Sequence, residues 1–160
     1  MSIDRVRAYF REFGIEDRIL EFEVSSATVE LAAQAVGVEG ARIAKTLSFL
    51  LKDGRCLLIV AAGDAKVDNA KYKAQYGEKA KMLPHDAVPE YVGHAVGGVC
   101  PFAVKEGVQI CLDVSMKRFE TVYPAAGSSN SAIQMSMEEL ERYSGSSEWV
   151  DVCKGWQETI

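Results

Sequence analysis

The sequence predicts an α+β fold: a single domain with a mixed, curved β-sheet of about six to seven strands surrounded by helices. Capped helical stretches and short alternating runs succeed one another in mixed order along the chain. No repeat or low-complexity linker interrupts them. With 160 residues, 48% hydrophobic and 26% charged, the chain is long enough for one globular core, and residues 1–160 are expected to form one domain.

Ser2 can cap a helix whose face carries Ile3, Val6, Tyr9, Phe10 and Phe13, with Gly14 as its stop. Residues 19–24 alternate as a strand with Leu20, Phe22 and Val24 on one side. Ser25, Ser26 and Thr28 offer caps for a helix over 29–36 that Gly37 closes. Thr46 to Leu51 reads as a strand, Asp53-Gly54 as a hairpin turn and Arg55 to Ala62 as the returning strand. A helix over 68–76, a short strand over 79–83 and a helix opened by Pro84 and running toward Tyr91 follow. Val108, Ile110 and Leu112 mark a half-buried strand, and 121–123 and 132–135 mark two more. Ser136 and Glu139 form a capping box for a last helix through Tyr143, and 149–152 can add an edge strand.

Composition excludes several classes of function. Lys and Arg number 18 against 23 Asp and Glu, a formal charge of 18 − 23 = −5. A protein that grips long stretches of nucleic acid is basic, so any nucleic-acid partner is touched locally, and no DNA partner is expected. No run approaches the roughly 20 apolar residues of a membrane span, and the early charges Asp4, Arg5 and Arg7 do not suit a signal peptide. A soluble, cytoplasmic protein with no membrane partner is expected. Cys56, Cys100, Cys111 and Cys153 lack disulfide or zinc spacing, so reduced thiols and no metal are expected.

Four features could carry chemistry. Gly93 to Phe102 holds three glycines and Pro101, and its amides could cradle a carbonyl or phosphate or simply form a tight turn. Gly40 to Thr46 fails as a P-loop because Ala44 stands where glycine must precede the lysine, which leaves Lys45 either snorkelling to solvent or held in a pocket. Lys66, Lys71, Lys73, Lys79 and Lys81, interleaved with Tyr72 and Tyr76, form either a solvated helix face or a docking surface for phosphates. Cys100 follows His94 by six residues, a spacing to be tested for thiol hydrolysis, although a cysteine before proline in an apolar loop is more often packing.

Three segments together resemble one family, the YbaK-like aminoacyl-tRNA editing domains, which also occur as the insertion domain of bacterial prolyl-tRNA synthetases. They are Ile43-Ala44-Lys45-Thr46-Leu47, then Gly97 to Phe102 with a Gly-x-x-x-Pro spacing, then Val122 to Gly127 before a strand and a capped helix. The resemblance covers nearly the whole chain. It implies a deacylase acting in trans, which hydrolyses the ester joining a wrong amino acid to the terminal ribose of a tRNA. No cofactor is implied; the partners are the acceptor end of aminoacyl-tRNA and, for recruitment, an aminoacyl-tRNA synthetase.

Carried over by position, Lys45 is the family's essential lysine, expected to anchor the phosphate of the terminal adenosine or to help place the ester. Gly97 heads the motif whose backbone lines the aminoacyl group, with Gly98, Val99 and Pro101 in the same loop. An oxyanion can be stabilised by such amides at about 3 kcal/mol per donor. Phe22, Thr28, Thr46 and the second small-residue loop, Gly127, Ser128 and Ser129, are expected to complete the pocket wall. Some relatives carry a basic segment where this chain has Gly127-Ser128-Ser129-Asn130, and no histidine lies near Pro124, so the amino acid removed is left open. The alternatives are a non-catalytic aminoacyl-tRNA- or protein-binding module on the same fold, and a Cys-dependent hydrolase of small acyl compounds.

Overall fold

A computed structural model describes residues 2–146 and 148–156. Its central element is a six-stranded mixed sheet in the order β8-β6-β2-β3-β5-β9. The strands are β2 (Ile43–Leu50), β3 (Cys56–Ala62), β5 (Gln109–Asp113), β6 (Thr121–Pro124), β8 (Met135–Ser136) and β9 (Glu148–Val150). β2 and β3 form the antiparallel hairpin that Asp53-Gly54 predicts, with Leu51 N–H donating to Arg55 C=O and Gly54 at φ 90°. β6 runs parallel to β2, and β5 and β9 continue in parallel beyond β3. Two small ribbons pair β1 (Ile19–Glu21) with β7 (Ser131–Ile133) and β4 (Lys66–Val67) with β10 (Cys153–Lys154).

β3 is buried along its whole length because both its edges are paired and both faces are covered. The helix α1 (Ser2–Arg11) inserts Phe10 against Phe102, with ring centroids 4.9 Å apart, and α3 (Asn69–Tyr76) sets Tyr72 against Phe49 at 5.1 Å. The helix α2 (Val29–Val36) begins at Thr28, whose hydroxyl accepts from Leu31 N–H, and ends at Gly37 in the left-handed region. Its Ala32 and Ala33 pack on Ile43. The last helix, α5 (Met137–Ser144), has the capping box expected of Ser136 and Glu139. Arg18 pairs with Glu139, and this pairing with the Ser136 N–H holds the carboxyl down at about 2.

Four expectations change. Residues 19–24 form only a three-residue strand, whose pairing with β7 runs to Glu21 opposite Ser131, and Ile19 is buried while Leu20 and Val24 are exposed. β2 starts at Ile43, three residues before the expected Thr46, so Lys45 sits inside the sheet. Residues 79–83 contribute only a bridge, Met82 to Phe49, and Pro84 leads into a 3-10 turn (His85–Ala87) before the short helix α4 (Val88–Val92). The run 132–135 divides: β7 pairs with β1, while β8 pairs with β6. No helix is long and apolar enough to cross a membrane among the described residues.

Candidate active site

β2 is paired on one side along its length but only at its two ends on the other. Ile43 and Ala44 pair with Tyr123 and Pro124, while Ser48 C=O accepts from Leu83 N–H and Leu50 N–H donates to Lys81 C=O. The ladder with β3 uses the backbone groups of odd-numbered residues, as Leu51 N–H to Arg55 C=O fixes the phase, so even-numbered residues face the other edge. The N–H and C=O of Thr46 and the N–H of Ser48 therefore face a gap between β6 and residues 81–83. A cavity of about 210 Å³ opens at that gap.

Strand alternation separates Lys45 from Thr46. Lys45 lies on the face where Ile43 meets α2, and its ammonium donates to the carbonyls of Gly63, at 3.4 Å, and Ala65. Burial lowers its pKa, and neighbouring Cys153 and Asp64 work in the opposite direction. Among the described residues two of its three donors are engaged. Thr46 lies on the opposite face, and its Oγ1 is buried without a partner among the described residues.

The glycine loop closes the cavity from the other side through Gly97 and Val99. Gly97 has φ 92°, a conformation that glycine adopts without strain. The amide of Gly98 donates to Ala95 C=O at 3.0 Å, so it is not an available donor; the amides of Gly97 and Val99 have no partner among the described residues. Gly98 instead allows a close approach, since a Cβ there would stand 2.8 Å from the Ser128 Cα. Gly97, Gly98, Ser128 and Ser129 are thus brought together, with Ser128 hydroxyl bonds to Asn130 and Ser131 stiffening the second loop.

Residues 23–143 match the family model of the aminoacyl-tRNA editing domain. The chain belongs to this family. It is 51% identical over 157 residues to the protein YwhH of Bacillus subtilis (strain 168), covering 98% of this chain and all of that one. A proline–tRNA ligase of Limosilactobacillus fermentum (strain NBRC 3956 / LMG 18251) is 30% identical over 91 residues, 54% of this chain and 16% of the ligase. A solved structure presented as a candidate trans-editing enzyme for prolyl-tRNA synthetase superposes with a TM-score of 0.85 at 27% identity, covering 96% of this chain and 98% of that one.

Within this editing domain, Thr28, Lys45, Thr46, Gly97 and Val99 line the cavity. Phe22, Gly98, Pro101, Gly127, Ser128 and Ser129 are not part of its lining. Phe22 is held to the second loop, its N–H donating to Asn130 C=O and its C=O accepting from the Asn130 side chain. Gly127, at φ 100°, turns toward α1, where a Cβ would meet Val6, Ile3 and Ser2 within about 3 Å. His85, one of two histidines that the sequence offers for chemistry, also lines the cavity, and Ser48, Met82, Tyr123 and Ser131 line it without having been expected there. Their signal was the pairing of β2 with β6 and with residues 81–83, which no local pattern encodes.

Helix α1 lies outside the matched segment yet holds both loops of the editing domain. Ser2 hydroxyl donates to Gly127 C=O at 2.5 Å, and Arg5 donates to Gly93 C=O at the start of the glycine loop. Cys100 and His94 do meet, with Sγ 3.5 Å from Nε2, although both side chains are buried. His94 Nε2 lies 2.7 Å from Phe102 C=O. Burial pushes the Cys100 thiol up to about 12, so it is a packing group and not a nucleophile at neutral pH. Among the described residues no cluster of three or more His, Cys, Asp or Glu side chains could hold a metal.

Proposed function

We propose that this editing domain is an aminoacyl-tRNA deacylase acting in trans, which hydrolyses the ester between a mischarged amino acid and the terminal ribose of tRNA. The observation that carries this reading is one cavity bordered by an unpaired strand edge, Lys45, Gly97 and Val99, the last two with amides unengaged among the described residues. Hydrolysis of an ester passes through an oxyanion, and amides fixed in a loop stabilise it without reorganising. No side-chain nucleophile is needed: water attacks the ester carbon, and the neighbouring ribose hydroxyl of the substrate relays the proton. The remaining Lys45 donor anchors the phosphate of the terminal adenosine.

The cytoplasm is the expected place of action. Recruitment by prolyl-tRNA synthetase is supported by the likeness to the candidate trans-editing enzyme. Gly98 and the second loop shape the site; Phe22 and Pro101 support it from outside the lining. A panel of mischarged tRNAs, incubated with wild type and Lys45→Ala, tests the reading. At least one ester is cleaved faster than in buffer, and Lys45→Ala lowers that rate at least tenfold. No deacylation of any charged tRNA overturns it.

A further inference from the structure

We infer that the open edge of β2 at Thr46 is the subsite for the aminoacyl group, which docks there as a strand one residue long. Its α-ammonium donates to Thr46 C=O, and its ester carbonyl oxygen accepts from Thr46 N–H. This rests on the deacylase reading for the identity of the ligand, but its geometry comes from the sheet.

Inside a sheet, backbone donors and acceptors are paired, and a bare stretch in mid-strand calls for a partner from elsewhere. The stretch is short. Ala44 is paired with Pro124 on one side, and Ser48 C=O is taken by Leu83 on the other. A peptide strand cannot enter between two blocked ends, whereas a single amino acid can. An aminoacyl ester carries a donor on its α-nitrogen and an acceptor on its carbonyl, the same pair that one residue of an antiparallel strand presents to its opposite number.

The electrostatics agree. Among the described residues no Asp or Glu lines the cavity, so an ammonium there is received by neutral oxygens, and Thr46 C=O is the backbone acceptor that the β2 edge offers. The Lys45 ammonium, which would repel it, is directed to the other face and held by the Gly63 and Ala65 carbonyls. The docked carbonyl oxygen then lies between the β2 edge and the glycine loop, both of which border the same cavity.

Calorimetry with non-hydrolysable adenosines bearing 3′-amide-linked L-alanyl, D-alanyl or propionyl groups tests the inference without catalysis. The L-alanyl compound is expected to bind wild type at least tenfold more tightly than the propionyl compound, which lacks the ammonium, and more tightly than the D-isomer. Equal affinity of the L-alanyl and propionyl compounds overturns it. Thr46→Pro removes the N–H that faces away from β3 and so breaks no ladder bond. In the folded variant, checked by circular dichroism, L-alanyl affinity falls at least tenfold; unchanged affinity overturns the role of the N–H. Should Thr46→Pro not fold, the ligand series alone decides. Ammonium-dependent binding without hydrolysis of any ester would overturn the deacylase reading and leave this subsite standing.

Discussion

Gly98 and Ser128 meet backbone to backbone: a side chain on Gly98 would place its Cβ 2.8 Å from the Ser128 Cα and 2.9 Å from the Ser128 nitrogen. Neither atom can move aside as a flexible side chain would. Gly98 is not in the left-handed region, so the constraint is contact alone. Gly98→Ala is expected to separate the two loops, destabilising the fold by about 1–3 kcal/mol and lowering ester hydrolysis more than tenfold. Urea titration and single-turnover deacylation measure the two effects. Gly97 has the opposite constraint, room for a Cβ at 3.5 Å but a φ of 92°, so Gly97→Ala strains the backbone by about 1–2 kcal/mol.

Helix α1 ties the two loops to one rigid element, which makes Ser2 and Arg5 positioning residues. Ser2→Ala removes the bond to Gly127 C=O, and Arg5→Ala removes the bond to Gly93 C=O. Each bond contributes about 1 kcal/mol to stability, a small share of a domain's total. The expected result for the double variant is a kcat reduced severalfold with KM near the wild-type value, since the amides of Gly97 and Val99 lose alignment more than the cavity loses surface. Equal kcat in wild type and double variant would show that the loops hold their shape without α1.

The sequence made local features legible and left the tertiary ones hidden. Thr28, Ser136 and Glu139 announced helix starts because capping acts within four residues. Lys45 and Gly97 were legible because their neighbours form a recurring pattern. The open edge of β2 was not, since it depends on β6 and residues 81–83 stopping short of each other across a gap. Phe22 was expected in the pocket wall but lies outside the lining, because the ribbon with β7 and the Asn130 bonds govern that segment. Two lysines of 66–81 have local partners in the fold. Lys71 is tied to Asp151 and Cys153 C=O, while Lys66 lies opposite Lys154 in the β4–β10 ribbon.

The thiols separate a hydrolase that uses cysteine from one that does not. All four are buried, and burial raises Cys56 to about 11 and Cys100 and Cys153 to about 12. Iodoacetamide at pH 8 is expected to leave the native protein unlabelled by mass spectrometry and to label the urea-unfolded chain fully. Cys100→Ala keeps its deacylase activity within about threefold, after allowance for the small cavity it leaves. Stoichiometric labelling of native Cys100 with loss of activity would restore the thiol mechanism.

His94 links the glycine loop to pH. Its ring is buried, with Nε2 2.7 Å from Phe102 C=O and Nδ1 without a partner among the described residues, which fits a neutral imidazole that donates from Nε2. Burial lowers its pKa below 6.5; the Phe102 carbonyl opposes this, and Arg5 reinforces it. The sign follows from where protons bind. As pH falls through 6.5, the unfolded chain takes up a proton on this residue while the folded one does not, so stability drops until the folded pKa is reached. Above 6.5 the contribution is fully present. Thermal melts between pH 7.5 and 5 are therefore expected to show a falling Tm in wild type and a flatter profile in His94→Gln. That variant has a lower Tm at pH 7.5, because Gln cannot reproduce both the packing and the bond to Phe102. Parallel profiles for the two proteins would assign the acid sensitivity to other groups. Because His94 sits four residues before Gly98, local opening that exposes the ring to protonation also loosens the loop that carries the Gly97 and Val99 amides. Hydrolysis is then expected to decline with acid ahead of global unfolding, which single-turnover rates set against the melting curves would detect.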